Sequence, residues 1–272
     1  MPPGFGPPGQ AFDRPLPTTA DRTVMRSVLM KGLEKDVSYG KDFSHYTISD
    51  DSVTAHFADG TTATSALLIG ADGSRSRIRK RLIPNHRILD AEARLVYGKT
   101  FLSEELIQRF APELMSGMVT IKQLLSSGQM LILFLGAIRF PKDRSEEQLE
   151  GTSLPQDYIY WVQGIPSAEV GLPDEQLLKL PGPDVAQLSL NLTKDWQPKF
   201  RSLLELQSQS QTAALRMPIT HPNLAAWEPS QRVTVLGDAI HAMLLSAALA
   251  RILLCMMLSF WLRSLLRRVL VI

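Results

Sequence analysis

The order of apolar and polar positions divides this chain into three textures. Over residues 19–35, Val24, Val28, Leu29 and Leu33 recur at helical spacing. This predicts a helix with one apolar stripe and Thr19 as its N-cap. Residues 43–48 and 53–57 predict two short strands, and Asp59-Gly60 supplies a hairpin turn before a third strand over 61–64. The run 66–69, Ala-Leu-Leu-Ile, is continuously apolar, as expected of a strand covered on both faces.

Beyond Leu82 the pattern changes. Strands are predicted over 93–101, 117–123, 129–137 and 157–163, with one short helix over 104–110 and a polar loop over 143–155. Helices follow over 174–180, 185–192 and 200–207, then a strand over 213–217. A short buried strand over 233–236 restores the first texture. The organisation expected is an irregular Pro/Gly-rich leader (1–17), a first α/β segment (18–92), a strand-rich insert (93–225), a return to the first segment (226–243) and a hydrophobic tail (244–272).

Composition narrows the picture. A chain of 272 residues with 44% hydrophobic content can bury one large core or two ordinary ones. A net charge of +2 argues against a dedicated nucleic-acid binder. The single cysteine, Cys255, excludes an internal disulfide and a cysteine metal site, and the five histidines show no metal-ligand spacing. The leader lacks the apolar core of a signal peptide. The tail is different: residues 243–262 have the length and apolarity of a membrane span, interrupted only by Arg251, with Arg263, Arg267 and Arg268 beyond it. A membrane-spanning helix, a buried helix and an atypical tail all fit that pattern, so the location expected is cytoplasmic, or membrane-associated through residues 243–262.

Two segments carry candidate chemistry. In ALLIGADGSRSRIRKRL (66–82) and RVTVLGDAIHAM (232–243), a buried strand runs into a sharp acidic turn. Turns at the carboxyl edge of a parallel sheet are where nucleotides bind. Gly70 and Gly73 remove side chains where backbone turns tightly or approaches a ligand. Asp72 and Asp238 offer acceptors without competing donors. An arginine at Arg79 can grip phosphate or brace Asp72. Each segment also reads as an ordinary strand–turn–helix with an aspartate cap. Arg75, Arg77, Arg79, Lys80 and Arg81 read as a solvated basic helix face.

Together the segments resemble the class A FAD-dependent monooxygenases, the para-hydroxybenzoate hydroxylase-like family. Asp72, Gly73, Ser76 and Arg79 match that family's DGxxSxxR motif. Gly237, Asp238, Ala239 and His241 match the opening of its GDAxH motif. The stretch Asp21-Arg22-Thr23-Val24-Met25-Arg26 is similar to the family's helix whose arginine reaches the FAD phosphates. The resemblance covers roughly residues 18–243. It implies a partial Rossmann-like FAD-binding domain with an inserted α+β substrate domain, FAD as cofactor and NAD(P)H as co-substrate. It also implies O2 and a small aromatic or polyketide-like organic substrate as the reacting partners. It assigns Arg22, Arg26, Asp72, Gly73, Arg79, Gly237 and Asp238 to cofactor binding, with Asp238 accepting from a ribityl hydroxyl and His241 as a motif marker rather than a base.

The chain departs from the family at both ends. No G-x-G-x-x-G follows a strand; the glycines of GFGPPG (4–9) are interleaved with prolines. After Met243, Leu245, Ala248, Ala250 and Ile252 stand where the family has Pro, a GxG turn and Asn. The pattern therefore reads as family sequence truncated at both ends, and weak FAD binding is expected of the chain as written. An inactive remnant of the family and a membrane-anchored nucleotide-binding protein are the alternatives.

Overall fold

The computed structural model describes residues 21–115, 117–140, 154–223, 226–243 and 269–272. These divide into two compact units. One holds Arg94–Leu215 together with the segment up to Lys35, and the other holds Asp36–Ala93 together with the segment from Arg216 onward.

In the second unit, β1 (Phe43–Ile48), β2 (Val53–Phe57) and β3 (Thr62–Ser65) form an antiparallel meander. The Asp59-Gly60 turn behaves as its sequence requires: Asp59 accepts from the Thr61 amide at 3.0 Å, and Gly60 takes φ +80. β4 (Leu67–Gly70) is the middle strand of a three-stranded parallel sheet, with Leu68 and Ile69 buried. α2 (Arg77–Leu82) follows it, capped by the Ser76 hydroxyl, which accepts from the Arg79 amide at 2.8 Å. Leu68, Ile78 and Val233 share one core with Phe43, Tyr46, Val53 and Ala55.

In the first unit, α1 (Arg22–Met30) precedes a five-stranded sheet whose residues 88–93 and 216–220 belong to the second unit. The sheet is built from β5 (Ile88–Phe101), β6 (Met118–Leu124), β7 (Met130–Ile138), β8 (Tyr158–Pro166) and β9 (Ala213–Thr220), in the order β6-β7-β8-β5-β9. The helices are α3 (Glu104–Arg109), α4 (Asp174–Leu177), α5 (Gly182–Leu192) and α6 (Pro198–Glu205). Their apolar sides pack with one face of the sheet: Leu106, Leu177, Val185, Leu203 and Leu204 join Val96, Leu131, Leu133, Leu135, Ile159 and Trp161 in a single core. The parallel sheet returns through β10 (Val233–Val235) and gains β11 (Val269–Val271).

Four expectations need correction. The first helix is capped by Asp21, whose carboxylate takes the Thr23 and Val24 amides at 2.8 and 2.9 Å, and it stops at Met30, short of Lys35. Thr19 lies outside the described residues. The predicted stripe is not core: no residue of α1 is buried, and Val28 and Leu29 are exposed. β5 begins five residues earlier than expected and α4 ends at Leu177. Within the hydrophobic tail read as a membrane-spanning helix, a buried helix or an atypical tail, Val269–Val271 is a strand that pairs in parallel with Leu67–Ile69 of β4. The polar loop expected over 143–155 falls mostly outside the described residues, as does the candidate span 243–262 apart from Met243. Among the described residues no helix is long and apolar enough to cross a membrane.

Candidate functional site: two acidic turns on one sheet edge

β10 and β4 run parallel with Val235 opposite Gly70, and the Leu236 amide donates to the Gly70 carbonyl at 2.9 Å. Both motif turns therefore leave the same carboxyl edge of the sheet, side by side. A Cβ at Gly70 would stand 2.9 Å from Ile78 Cβ and 3.0 Å from Val235 Cγ1. Gly70 is thus a packing requirement between strand, helix and neighbouring strand, rather than a ligand-approach position. Gly73 and Gly237 are the turn glycines, at φ +76 and +64, and nothing lies within 4 Å of where their Cβ atoms would be. Backbone is accessible at both.

Asp72 divides its carboxylate between two tasks. Oδ2 accepts the Arg77 amide at 2.8 Å. Oδ1 is buried and has no hydrogen-bond partner among the described residues. A buried acceptor left this way costs about 1–3 kcal/mol, so it marks a place where a donor is wanted. Asp238 lies in a 3-10 turn, Gly237–Ala239, and is exposed. It is not the buried cap allowed by the plain reading of the motif: the residue before the turn is Leu236, and no side chain caps it. His241 donates its amide to the Gly237 carbonyl at 2.9 Å, closing the turn.

The basic run is not one solvated face. Arg79 is only 3% exposed, and its Nη1 donates to the Ala239 carbonyl at 2.6 Å. Burial weakens its hold on the proton and the nearby Asp72 charge restores part of that hold. Its direct hydrogen bond is thus to the acidic turn of the second motif rather than to Asp72. Arg77 Nη1 donates to Asp42 Oδ1 at 3.1 Å and to the Phe43 carbonyl. The Arg81 guanidinium lies 4.7 Å over the Tyr46 ring. These three side chains tie α2 to β1 and to the second motif.

Arg22 and Arg26 belong to the other unit, exposed on α1. Their helix is seated through Asp21, which also accepts from the Tyr158 hydroxyl at 2.5 Å and from Lys99 Nζ at 3.1 Å. Burial alone would raise the Asp21 pKa. The bonds from Tyr158, the Val24 amide and Lys99 overcome that and lower it to about 2. Tyr158 is pushed up, by burial first and then by its bond to this carboxylate.

Sequence reasoning missed two features. One is His86, whose Nε2 lies 3.1 Å from the Ile240 carbonyl. No local pattern marks it. The other is the sheet face turned away from α3–α6, where β7 and β8 present half-buried Ile132, Phe134, Tyr160 and Val162 in register. Both strands read as largely apolar on either side, so which side the helices would cover was not legible in the sequence.

No protein-family model matches the chain. It is similar to the dual O-methyltransferase/FAD-dependent monooxygenase elcB of Phaeosphaeria nodorum, 36% identical over 250 residues, covering 83% of this chain and 26% of that protein. It is similar also to the dual O-methyltransferase/FAD-dependent monooxygenase CTB3 of Cercospora beticola, 35% identical over 240 residues, covering 83% of this chain and 27% of that protein. The chain thus spans about a quarter of the length of these curated relatives. Among solved structures, a putative FAD-containing monooxygenase from Photorhabdus luminescens shares the fold at TM-score 0.64 and 24% identity, over 81% of this chain and 56% of that one. Two acidic turns on one parallel-sheet edge thus belong to a chain of which four-fifths is similar to part of these FAD-dependent monooxygenases, and which shares the fold of an FAD-containing monooxygenase.

Proposed function

We propose that this chain carries the flavin-edge and substrate-side parts of an FAD-dependent monooxygenase that uses NAD(P)H and O2 to oxygenate a small aromatic or polyketide-like molecule. The observation that carries the reading is the carboxyl edge of the parallel sheet. There the buried, unpartnered Asp72 Oδ1 and the exposed Asp238 stand on adjacent turns beside two glycines whose missing side chains leave open space. That donor-poor, acceptor-rich edge fits the hydroxyl-bearing part of a dinucleotide. Bound FAD would supply the redox chemistry, taking reducing equivalents from NAD(P)H and passing one oxygen atom of O2 to the substrate.

The chain's own residues bind and orient. Asp238 would accept a hydrogen bond from a ribityl hydroxyl, Asp72 Oδ1 would take a second donor, and the Gly73 and Gly237 backbones would allow close approach. Arg79 holds the second turn and is not a phosphate ligand in this reading, because its guanidinium is buried on Ala239. The assignment of Arg22 or Arg26 to the flavin phosphates is supported by their exposure on α1 and stands as a separate proposal. The aromatic character of the substrate is supported by the half-buried Phe134 and Tyr160 face.

The test is FAD titration followed by flavin fluorescence, with Asp72→Asn and Asp238→Ala compared with the parent at equal folded content by circular dichroism. Both variants should weaken binding. Unchanged binding in both would remove the edge from the site.

A further inference from the structure

His86 lies outside both motifs, yet its side chain reaches the second of them. Arg79 Nη1 donates to the carbonyl of Ala239, and His86 Nε2 stands 3.1 Å from the carbonyl of Ile240, the very next peptide. The Thr220 hydroxyl donates to the same Ile240 carbonyl at 3.0 Å and accepts the Ala242 amide at 2.9 Å. The Thr220 amide donates to the Ala242 carbonyl at 2.8 Å. Two successive carbonyls immediately after Asp238 are therefore gripped by a guanidinium, an imidazole and a hydroxyl.

We infer that His86, with Arg79, is a positioning residue for Asp238: the pair clamps the Gly237–His241 turn and sets where its carboxylate stands. The inference deepens the flavin reading given above and rests on it only for its ligand readout.

The chemistry of the clamp fixes the state of His86. A carbonyl oxygen only accepts, so Nε2 carries the proton. Nδ1 is buried with no partner among the described residues, so a second proton there would be an unsatisfied buried donor. Burial disfavours the charged ring, the bond to the Ile240 carbonyl partly opposes it, and Arg79 from α2 and His241 from the turn, the charged and titratable groups facing it, add to the effect of burial, so the pKa is lowered. Neutral His86 in its Nε2–H tautomer satisfies the clamp, whereas a cation keeps the Nε2–H bond but adds a buried unpaired Nδ1–H donor. Acidification drives it toward a cation beside Arg79 and loosens the turn.

The experiment uses the full chain and two variants. His86→Ala removes the contact; His86→Gln keeps a side-chain amide donor that does not titrate. Without ligand, hydrogen-exchange protection of the Ile240, His241 and Ala242 amides is measured from pH 7.5 downward and corrected for intrinsic exchange. In the parent, protection should fall as pH drops below the ordinary histidine range. In His86→Gln it should stay flat, and in His86→Ala it should be reduced on the order of ten-fold at every pH. FAD titration over the same pH range should follow the same ordering. Parent-like, pH-dependent protection in His86→Gln, or undiminished protection in His86→Ala, overturns the clamp. If protection follows the expected pattern but FAD does not bind at any pH, the clamp stands and the flavin reading fails.

Discussion

Gln163 is fully buried on β8, and neither its amide nitrogen nor its amide oxygen has a hydrogen-bond partner among the described residues. It points to the same side of the sheet as Trp161 and Ile165, opposite Leu133 of β7, into the core covered by the helices. A buried polar group left unsatisfied costs about 1–3 kcal/mol. Methionine has a similar length and no strong polar group, and such volume-conserving core changes usually cost less than about 1.5 kcal/mol. Gln163→Met should therefore stabilise the chain by roughly 0.5–2 kcal/mol, while Gln163→Ala should forfeit the gain through the cavity it leaves. For a chain of this size that corresponds to a rise in Tm of roughly 1–4 °C. Urea unfolding followed by tryptophan fluorescence reports on this core through Trp161, two residues away on the same face. An unchanged denaturant slope with a higher midpoint is the expected result. A loss of more than about 1 kcal/mol in Gln163→Met would show that the amide is satisfied in the native protein and refute the reasoning.

Asp21 is held at a pKa of about 2 against an ordinary 3.8, so its bonds stabilise the fold above pH 4 and that contribution is lost as pH falls from 4 through 2. Asp21→Asn should cost about 2 kcal/mol at neutral pH and flatten the acid limb of a stability–pH curve; an unaltered acid limb would exclude this carboxylate as its source. Gly70→Ala forces a Cβ against Ile78 and Val235 and should destabilise by about 1–3 kcal/mol, while Gly73→Ala meets open space and bears only the cost of positive φ, about 1–2 kcal/mol. Gly70→Ala should lower the thermal midpoint more; the reverse order would mean that the sheet relaxes around Gly70.

Most of the strand pattern was legible in the sequence because period-two alternation and continuous apolar runs are local signals. β1 and β2 begin and end at the residues predicted, and β4 reads as the doubly covered strand that its run of Leu and Ile implies. The first helix was misjudged because apolar spacing alone does not say that a face is covered, and because Asp21 competes successfully as the cap. The turn residues Asp72, Gly73, Gly237 and Asp238 were found because their motif is contiguous. The roles of Arg79 and His86 were hidden, since their partners Ala239 and Ile240 lie more than 150 positions away along the chain. The basic run looked uniform in sequence, but its spacing on one short helix turns Arg79 inward and leaves Arg77 and Arg81 to reach β1.

The central claim is that the edge formed by Asp72 and Asp238 binds the flavin nucleotide. Its most direct test is equilibrium binding of FAD to the 272-residue chain and to Asp238→Ala, measured by flavin fluorescence after both are shown to unfold at the same urea midpoint. Losing a hydrogen bond to a charged acceptor costs about 1.5–3 kcal/mol, which is roughly 10- to 150-fold in Kd. The account predicts weak but saturable binding to the parent and at least about ten-fold weaker binding to the variant. Equal affinities, or no saturable FAD binding to the folded parent, would contradict it.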